Sequence, residues 1–154
     1  MQARPNDEAA GSPPGVHTWL VLMKAFRAIA ARGRRGLGTS GLCDSDFRIL
    51  EILLHKGALP VNTLGPRVNL TAGSISTAVD RLHRRGLVSR VEDPGDRRVR
   101  RVDLTPGGRA LIEPIFRRHA AEMDRVFSVL TASERMRLES LLKKVGRSTG
   151  ESVG

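Results

Sequence analysis

The sequence predicts a mainly α fold carrying one small β-hairpin, in the order α-α-α-α-β-β-α-α. Three observations carry that expectation. Apolar residues recur at spacings of three and four over most of residues 16–145, two short Val- and Leu-rich runs flank a Pro-Gly turn near residue 94, and an arginine excess gathers around that turn. The 154 residues amount to one domain with a core, and since the chain has one Trp, four Phe and no Tyr, that core falls to Leu, Ile, Val and Ala.

From Val16 to about Arg32, Trp19, Met23, Phe26 and Ala30 repeat at four and three, which predicts a first helix with one apolar face. Residues 33–41 hold four glycines and read as a connection. Phe47, Leu50 and Leu54 line a short second helix ending near Lys56-Gly57, and Leu64 and Val68 mark a third. Thr71 opens a fourth helix with Ile75, Val79 and Leu82 on one face, stopped by Gly86 as a left-handed residue after the helix would stop it. Leu87 to Val91 and Val99 to Leu104 then form a hairpin across Asp93-Pro94-Gly95-Asp96. Thr105-Pro106 caps a long helix to about Leu130, where Ile112, Phe116, His119, Met123, Val126 and Leu130 make a coiled-coil type seam and Pro114 predicts a kink. Thr131-x-x-Glu134 is a capping box ahead of Leu138, Leu141, Leu142 and Val145.

Composition narrows the function. Lys+Arg number 26 against 16 Asp+Glu, a formal +10, which points to a polyanionic partner. Residues 81–109 alone hold nine arginines and four acids, so half the excess lies in 29 residues. The longest apolar run, Trp19 to Met23, is far below a bilayer span, the N-terminus lacks the apolar stretch of a secretory signal, and the single Cys43 excludes an intrachain disulfide framework. A cytoplasmic location with no membrane partner is the expectation.

Two short helices joined by a tight turn and followed by a basic hairpin are the parts of a winged helix-turn-helix, whose second helix enters the major groove of duplex DNA. With Ile75, Val79 and Leu82 on the inner face, Ser74, Ser76, Thr77 and Arg81 point elsewhere. Short hydroxyls at a helix N-terminus reach base edges and phosphates, and Arg bonds guanine or phosphate. The candidate DNA-binding set is Thr71, Ser74, Ser76, Thr77, Arg81, Arg84, Arg97, Arg98 and Arg100. A solvated polar face is the bland alternative, and the adjoining basic hairpin weighs against it.

The stretches Leu70 to Leu82, Arg85-Gly86-Leu87-Val88, Asp93-Pro94-Gly95-Asp96-Arg97-Arg98 and Leu104-Thr105-Pro106-Gly107-Gly108-Arg109 resemble the MarR-type winged helix regulators, and the element order agrees from about Val16 to Val145. The resemblance implies a homodimer with interlocked terminal helices on a pseudo-palindromic operator, usually repressing until a ligand or oxidant intervenes. It implies that Arg98 inserts into the minor groove and that Asp96 holds the wing by an ion pair. The expected organisation is a disordered tail at 1–15, a dimerisation helix and linker at 16–41, the winged helix-turn-helix domain at 42–105, dimerisation helices at 106–145 and a disordered tail at 146–154. Gly65-Pro66 departs from the pattern, which has good helix formers there, and predicts a short or distorted helix.

Other signals carry less. Gly36-Leu37-Gly38-Thr39-Ser40-Gly41 matches a dinucleotide-loop pattern, but a helix precedes it where a strand is required. His17, His55, His83 and His119 are scattered, so no metal site and no cofactor is read from sequence. His119 is a core or dimer histidine, or one that titrates beside a ligand. Trp19 belongs to core and dimer packing, or joins Met23, Phe116 and His119 in a pocket for a small aromatic or anionic effector. Cys43 is an ordinary buried small residue or a redox sensor, with Asp44 and Asp46 opposing a thiolate. The rivals to a DNA-binding regulator are an RNA- or ribosome-associated winged helix, a metal sensor, and an enzyme with scattered active-site residues; no recognisable catalytic motif favours the last.

Overall fold

A computed structural model describes residues 13–96 and 99–150. Among them the order is α1 (Pro14–Leu37), a 3-10 turn (Gly38–Ser40), α2 (Asp44–Lys56), β1 (Leu59–Pro60), α3 (Val61–Arg67), α4 (Ala72–Arg84), β2 (Val88–Glu92), β3 (Arg100–Leu104), α5 (Pro106–Phe127) and α6 (Ala132–Ser148).

The chain is mainly helical with a small antiparallel sheet, as the periodicities predict, and the sheet has one strand more than predicted. β3 lies in the middle, paired with β2 through Arg90↔Val102 and with β1 through Leu59↔Val102. β1 is two residues long, too short to show alternation, and its Pro60 is tolerated because the strand is at the edge.

Three boundaries correct the sequence expectations. α1 begins at Pro14 and continues through Gly33 and Gly36 to Leu37, so most of the expected connection is helix. Gly33 is buried there, and a Cβ on it would lie 3.2 Å from Cε1 of His119; its cost in helix propensity is offset by the close approach of α5. α6 runs through Gly146 to Ser148, past the expected end at Val145. α5 runs unbroken through Pro114 and stops at Phe127 rather than Leu130.

The core is formed by Phe47, Ile49, Leu50 and Leu53 of α2, Leu64 of α3, Ile75, Val79 and Leu82 of α4, Val88 and Val102 of the sheet, and Ile112 and Ile115 of α5. Each such side chain contributes roughly 1.5–3 kcal/mol by leaving water. α5 crosses this core and packs on both α1 and α2. The apolar seam expected to pair with a second chain is therefore engaged within its own: the His119 ring sits on Phe47 at 4.9 Å and Phe116 meets His55 edge-on at 4.6 Å. α6 buries no residue, and the first turns of α1 are equally bare.

The departure at Gly65-Pro66 has a local reason. α3 is seven residues long and contains Pro66, and the buried Gly65 lets the following turn fold back: Leu70 N donates to Gly65 O at 2.9 Å, and a Cβ would meet Leu70 O at 3.1 Å. Asn69 takes a left-handed φ of 55° to close that turn.

Candidate functional site

α4 is built to show one face and bury the other. Ile75, Ala78, Val79 and Leu82 are buried, while Thr71, Ser74, Ser76 and Thr77 are exposed. Thr71 caps the helix by accepting from Ser74 N at 3.2 Å, and its hydroxyl donates to Ser74 Oγ at 2.9 Å. Ser76 Oγ donates to Ala72 O at 3.0 Å and Thr77 Oγ1 to Gly73 O at 3.1 Å, so their outward lone pairs are free to accept. A shallow groove runs beside Thr71, Gly73, Ser74 and Thr77, and a Cβ on Gly73 would touch nothing.

The arginines divide by destination. Arg81 is not the free DNA-facing cation expected of it: its Nη2 and Nε donate to Asp46 Oδ1 at 2.5 and 3.2 Å. Asp46 is 2% exposed and also lies 3.8 Å from Nη1 of Arg85, which in turn donates to Gly41 O at 3.0 Å. Two arginines one turn apart on α4 thus hold the first turn of α2 and the loop before it. The hydrogen bond to Asp46 pushes the Arg81 guanidinium further above its already high range. Arg90 pairs with Asp80, joining β2 to α4. Arg101 bonds Asp93 at 3.2 Å and Ala58 O at 2.5 Å, anchoring the hairpin to the β1 side.

Arg84 reaches only its own helix, at Asp80 O, and Arg100 makes a long, exposed contact to Glu92 at 3.4 Å. Both are exposed and weakly held, as a cation that exchanges partners on DNA must be. Arg97 and Arg98 lie outside the described residues, and with them the expected ion pair of Asp96 with Arg98. The turn before them is ordered by Asp93, whose carboxylate accepts from Gly95 N at 2.8 Å and Asp96 N at 3.3 Å. The Gly95 N–H, then that of Asp96 and the Arg101 guanidinium, hold the Asp93 carboxyl below its usual range. Its contribution is present above the ordinary carboxylate value and is lost as pH falls through the depressed one.

The expected effector residues do not come together. Trp19 is 58% exposed near the start of α1, and Phe116 is paired with His55. A cavity of about 170 Å³ does lie between α1, α2 and α5, and His119 lines it with Phe26, Ala30, Phe47 and Met123; Met23 is not part of its wall. Asp44, Arg34, Arg48 and Glu51 edge the same space.

Cys43 is the N-cap of α2 and is exposed, not a buried small residue. Its Sγ lies 3.1 Å from Ser45 Oγ and 3.5 Å from Nη2 of Arg81. Of the two carboxylates expected to oppose a thiolate, Asp46 is engaged by Arg81 and Arg85.

Sequence reasoning missed Asp46 and Arg85 as a clamp. The signal was present: Asp46, Leu50 and Leu53 fall at i, i+4 and i+7, which puts a carboxylate on the buried face, where it requires a cation.

The MarR family model matches residues 42–99 of the chain. The HTH-type transcriptional regulator MhqR of Bacillus subtilis (strain 168) is 38% identical over 83% of this chain and 88% of its own length. A MarR-family transcriptional regulator from Silicibacter pomeroyi has a crystal structure that superposes with a TM-score of 0.71 at 32% identity, covering 83% of this chain and 86% of that one. The BpsR structure from Bordetella bronchiseptica superposes with a TM-score of 0.73 at 27% identity, covering 84% and 98%.

Proposed function

The chain belongs to the MarR family of transcriptional regulators, and on that premise we propose that it works as a homodimer which represses transcription at a pseudo-palindromic duplex operator until a small-molecule effector releases it. The observation that carries the reading is α4. Its buried face is locked to the core and, through Arg81 and Arg85, to α2, while its exposed N-terminal hydroxyls stand beside the arginine-rich hairpin. In this reading Thr71, Ser74, Ser76 and Thr77 read base edges, and Arg84, Arg97, Arg98 and Arg100 engage phosphates and the minor groove. Arg81 positions α4 rather than touching DNA.

The homodimer is supported by apolar side chains that one chain leaves in water: Trp19, Leu20 and Phe26 on α1, and Met136, Leu141 and Val145 on α6. Effector control is supported by the cavity between α1, α2 and α5 and by BpsR, whose DNA binding is regulated by 6-hydroxynicotinic acid. The cavity touches the turn of α2 that carries Asp46, so a filled cavity bears on the helix that holds α4. Oxidation at Cys43 is a second route to release, favoured by the exposed Sγ in contact with Arg81.

The test is a nuclease footprint of the purified protein on its own upstream region. Two protected half-sites related by a two-fold axis, with centres about one helical turn or roughly 34 Å apart, are expected. An asymmetric footprint, or equal affinity for all duplexes, overturns the reading.

A further inference from the structure

We infer that the cavity between α1, α2 and α5 takes an uncharged, single-ring phenol whose hydroxyl bonds His119. This rests on the reading of the chain as effector-controlled and names the chemistry of the effector.

Size comes first. The space is about 170 Å³, and a cavity of about 150 Å³ lined by apolar side chains accommodates benzene. Phe26, Ala30, Phe47 and Met123 supply apolar wall, so one aromatic ring fits and two fused rings do not.

The charges around the space cancel. Arg34 and Arg48 face Asp44 and Glu51, and Arg34 is already 3.7 Å from Asp44. A carboxylate entering there gains one cation only beside an anion, and it loses its hydration in doing so. A neutral ring incurs no such loss.

The polar anchor is His119. Its Nδ1 is buried and has no hydrogen-bond partner, although the ring is fixed against Phe47 and close to Gly33. A buried polar atom left in this way is satisfied when a ligand supplies the missing group. A neutral imidazole nitrogen is a donor in one tautomer and an acceptor in the other. A phenolic hydroxyl both donates and accepts, so it meets either tautomer, whereas a carboxylate serves only the protonated nitrogen.

Calorimetry of the DNA-free full-length protein with phenol, benzoate and 2-naphthol tests the inference. Phenol is expected to saturate one site per chain, with benzoate and naphthol at least about tenfold weaker. His119→Leu is expected to weaken phenol by about tenfold or more without lowering the melting temperature, because the nitrogen it removes has no partner in the ligand-free chain. Ala30→Leu, which fills the space and keeps His119, is expected to weaken phenol as well. Failure of phenol to saturate, benzoate binding as tightly as phenol, or undiminished phenol binding by His119→Leu overturns the proposal. Any of these results leaves the regulator reading standing if the symmetric footprint is found and another small molecule releases it. An absent footprint overturns that reading even where phenol binds.

Discussion

Between Leu37 and Ile115 the chain wraps a continuous apolar core, with Leu50, Leu53, Leu64, Val79, Leu82 and Ile112 wholly out of water. At the two ends the picture reverses. α6 carries Met136, Leu138, Leu141, Leu142 and Val145 at helical spacing, as regular a pattern as in α4, yet it buries none of them, and α1 leaves Trp19 and Phe26 equally bare. The same periodicity thus has two outcomes. In the central part the apolar stripe finds its complement within one chain; in α6 it finds none there, so its free energy is realised only against a second molecule.

The largest expected effect breaks the central part. Leu53→Ala should cost about 2–5 kcal/mol of unfolding free energy, measured by denaturant titration, and the loss should not depend on protein concentration. A loss below 1 kcal/mol, on the order of a conservative surface change, would mean that this core is not what holds the domain.

The terminal region should respond differently. Leu141→Asp combined with Val145→Asp should leave the central fold intact by circular dichroism, convert a dimer to a monomer in sedimentation, and weaken operator binding by about 100-fold or more through lost bivalency. Retained dimers with full affinity would place the interface elsewhere.

Next is the clamp between the two helices of the DNA-binding unit. Asp46→Ala leaves Arg81 and Arg85 without their shared carboxylate. Since Arg81 is more than a third exposed, water recovers part of the loss, and a stability decrease of about 1–3 kcal/mol is expected, with operator affinity falling too. Asp46→Asn, which keeps an acceptor, should lie between. Unchanged stability in both would remove the clamp from the account.

Smaller and more selective are changes on the DNA face. Thr77→Ala should cost about 1 kcal/mol on the preferred half-site and shift base preference, whereas Arg98→Ala should weaken binding to every duplex with the same narrow groove. Competition with half-site variants separates the two. Identical behaviour of both variants across sequences would refute the division of labour.

The smallest is Cys43→Ser, expected to leave stability and operator affinity unchanged in reducing buffer, since Ser keeps a capping oxygen at the start of α2. If peroxide releases the native protein from DNA but not this variant, oxidation outranks the cavity as the switch.

Much of this arrangement is legible in the residues. Thr71, Thr105 and Thr131 each announce a helix start, and each accepts the backbone N–H three residues on. The glycines misled where they serve contact rather than turning. Gly33 and Gly36 read as a break and are helix, because α5 passes too close for a side chain. Gly108 is the extreme case: a Cβ there would lie 1.9 Å from Leu87 O, so the residue after a cap and proline is dictated by a strand it meets only in the folded chain. The seam on α5 was legible as apolar but not as to its partner, since periodicity names a buried face and not what buries it.

The sequence by itself determined the element order, the caps, the two faces of α4 and the basic hairpin. All of these rest on bonds and spacings within a few residues, where chain geometry leaves few choices. Only the tertiary structure decided where the charges go. Arg81 meets Asp46 across 35 residues of chain, Arg101 meets Ala58 across 43, and His119 rests on Phe47 and Gly33 with one nitrogen unpartnered. A long cationic side chain reaches several anions with similar ease, so its partner follows from how the helices pack, and packing is a property of the whole chain.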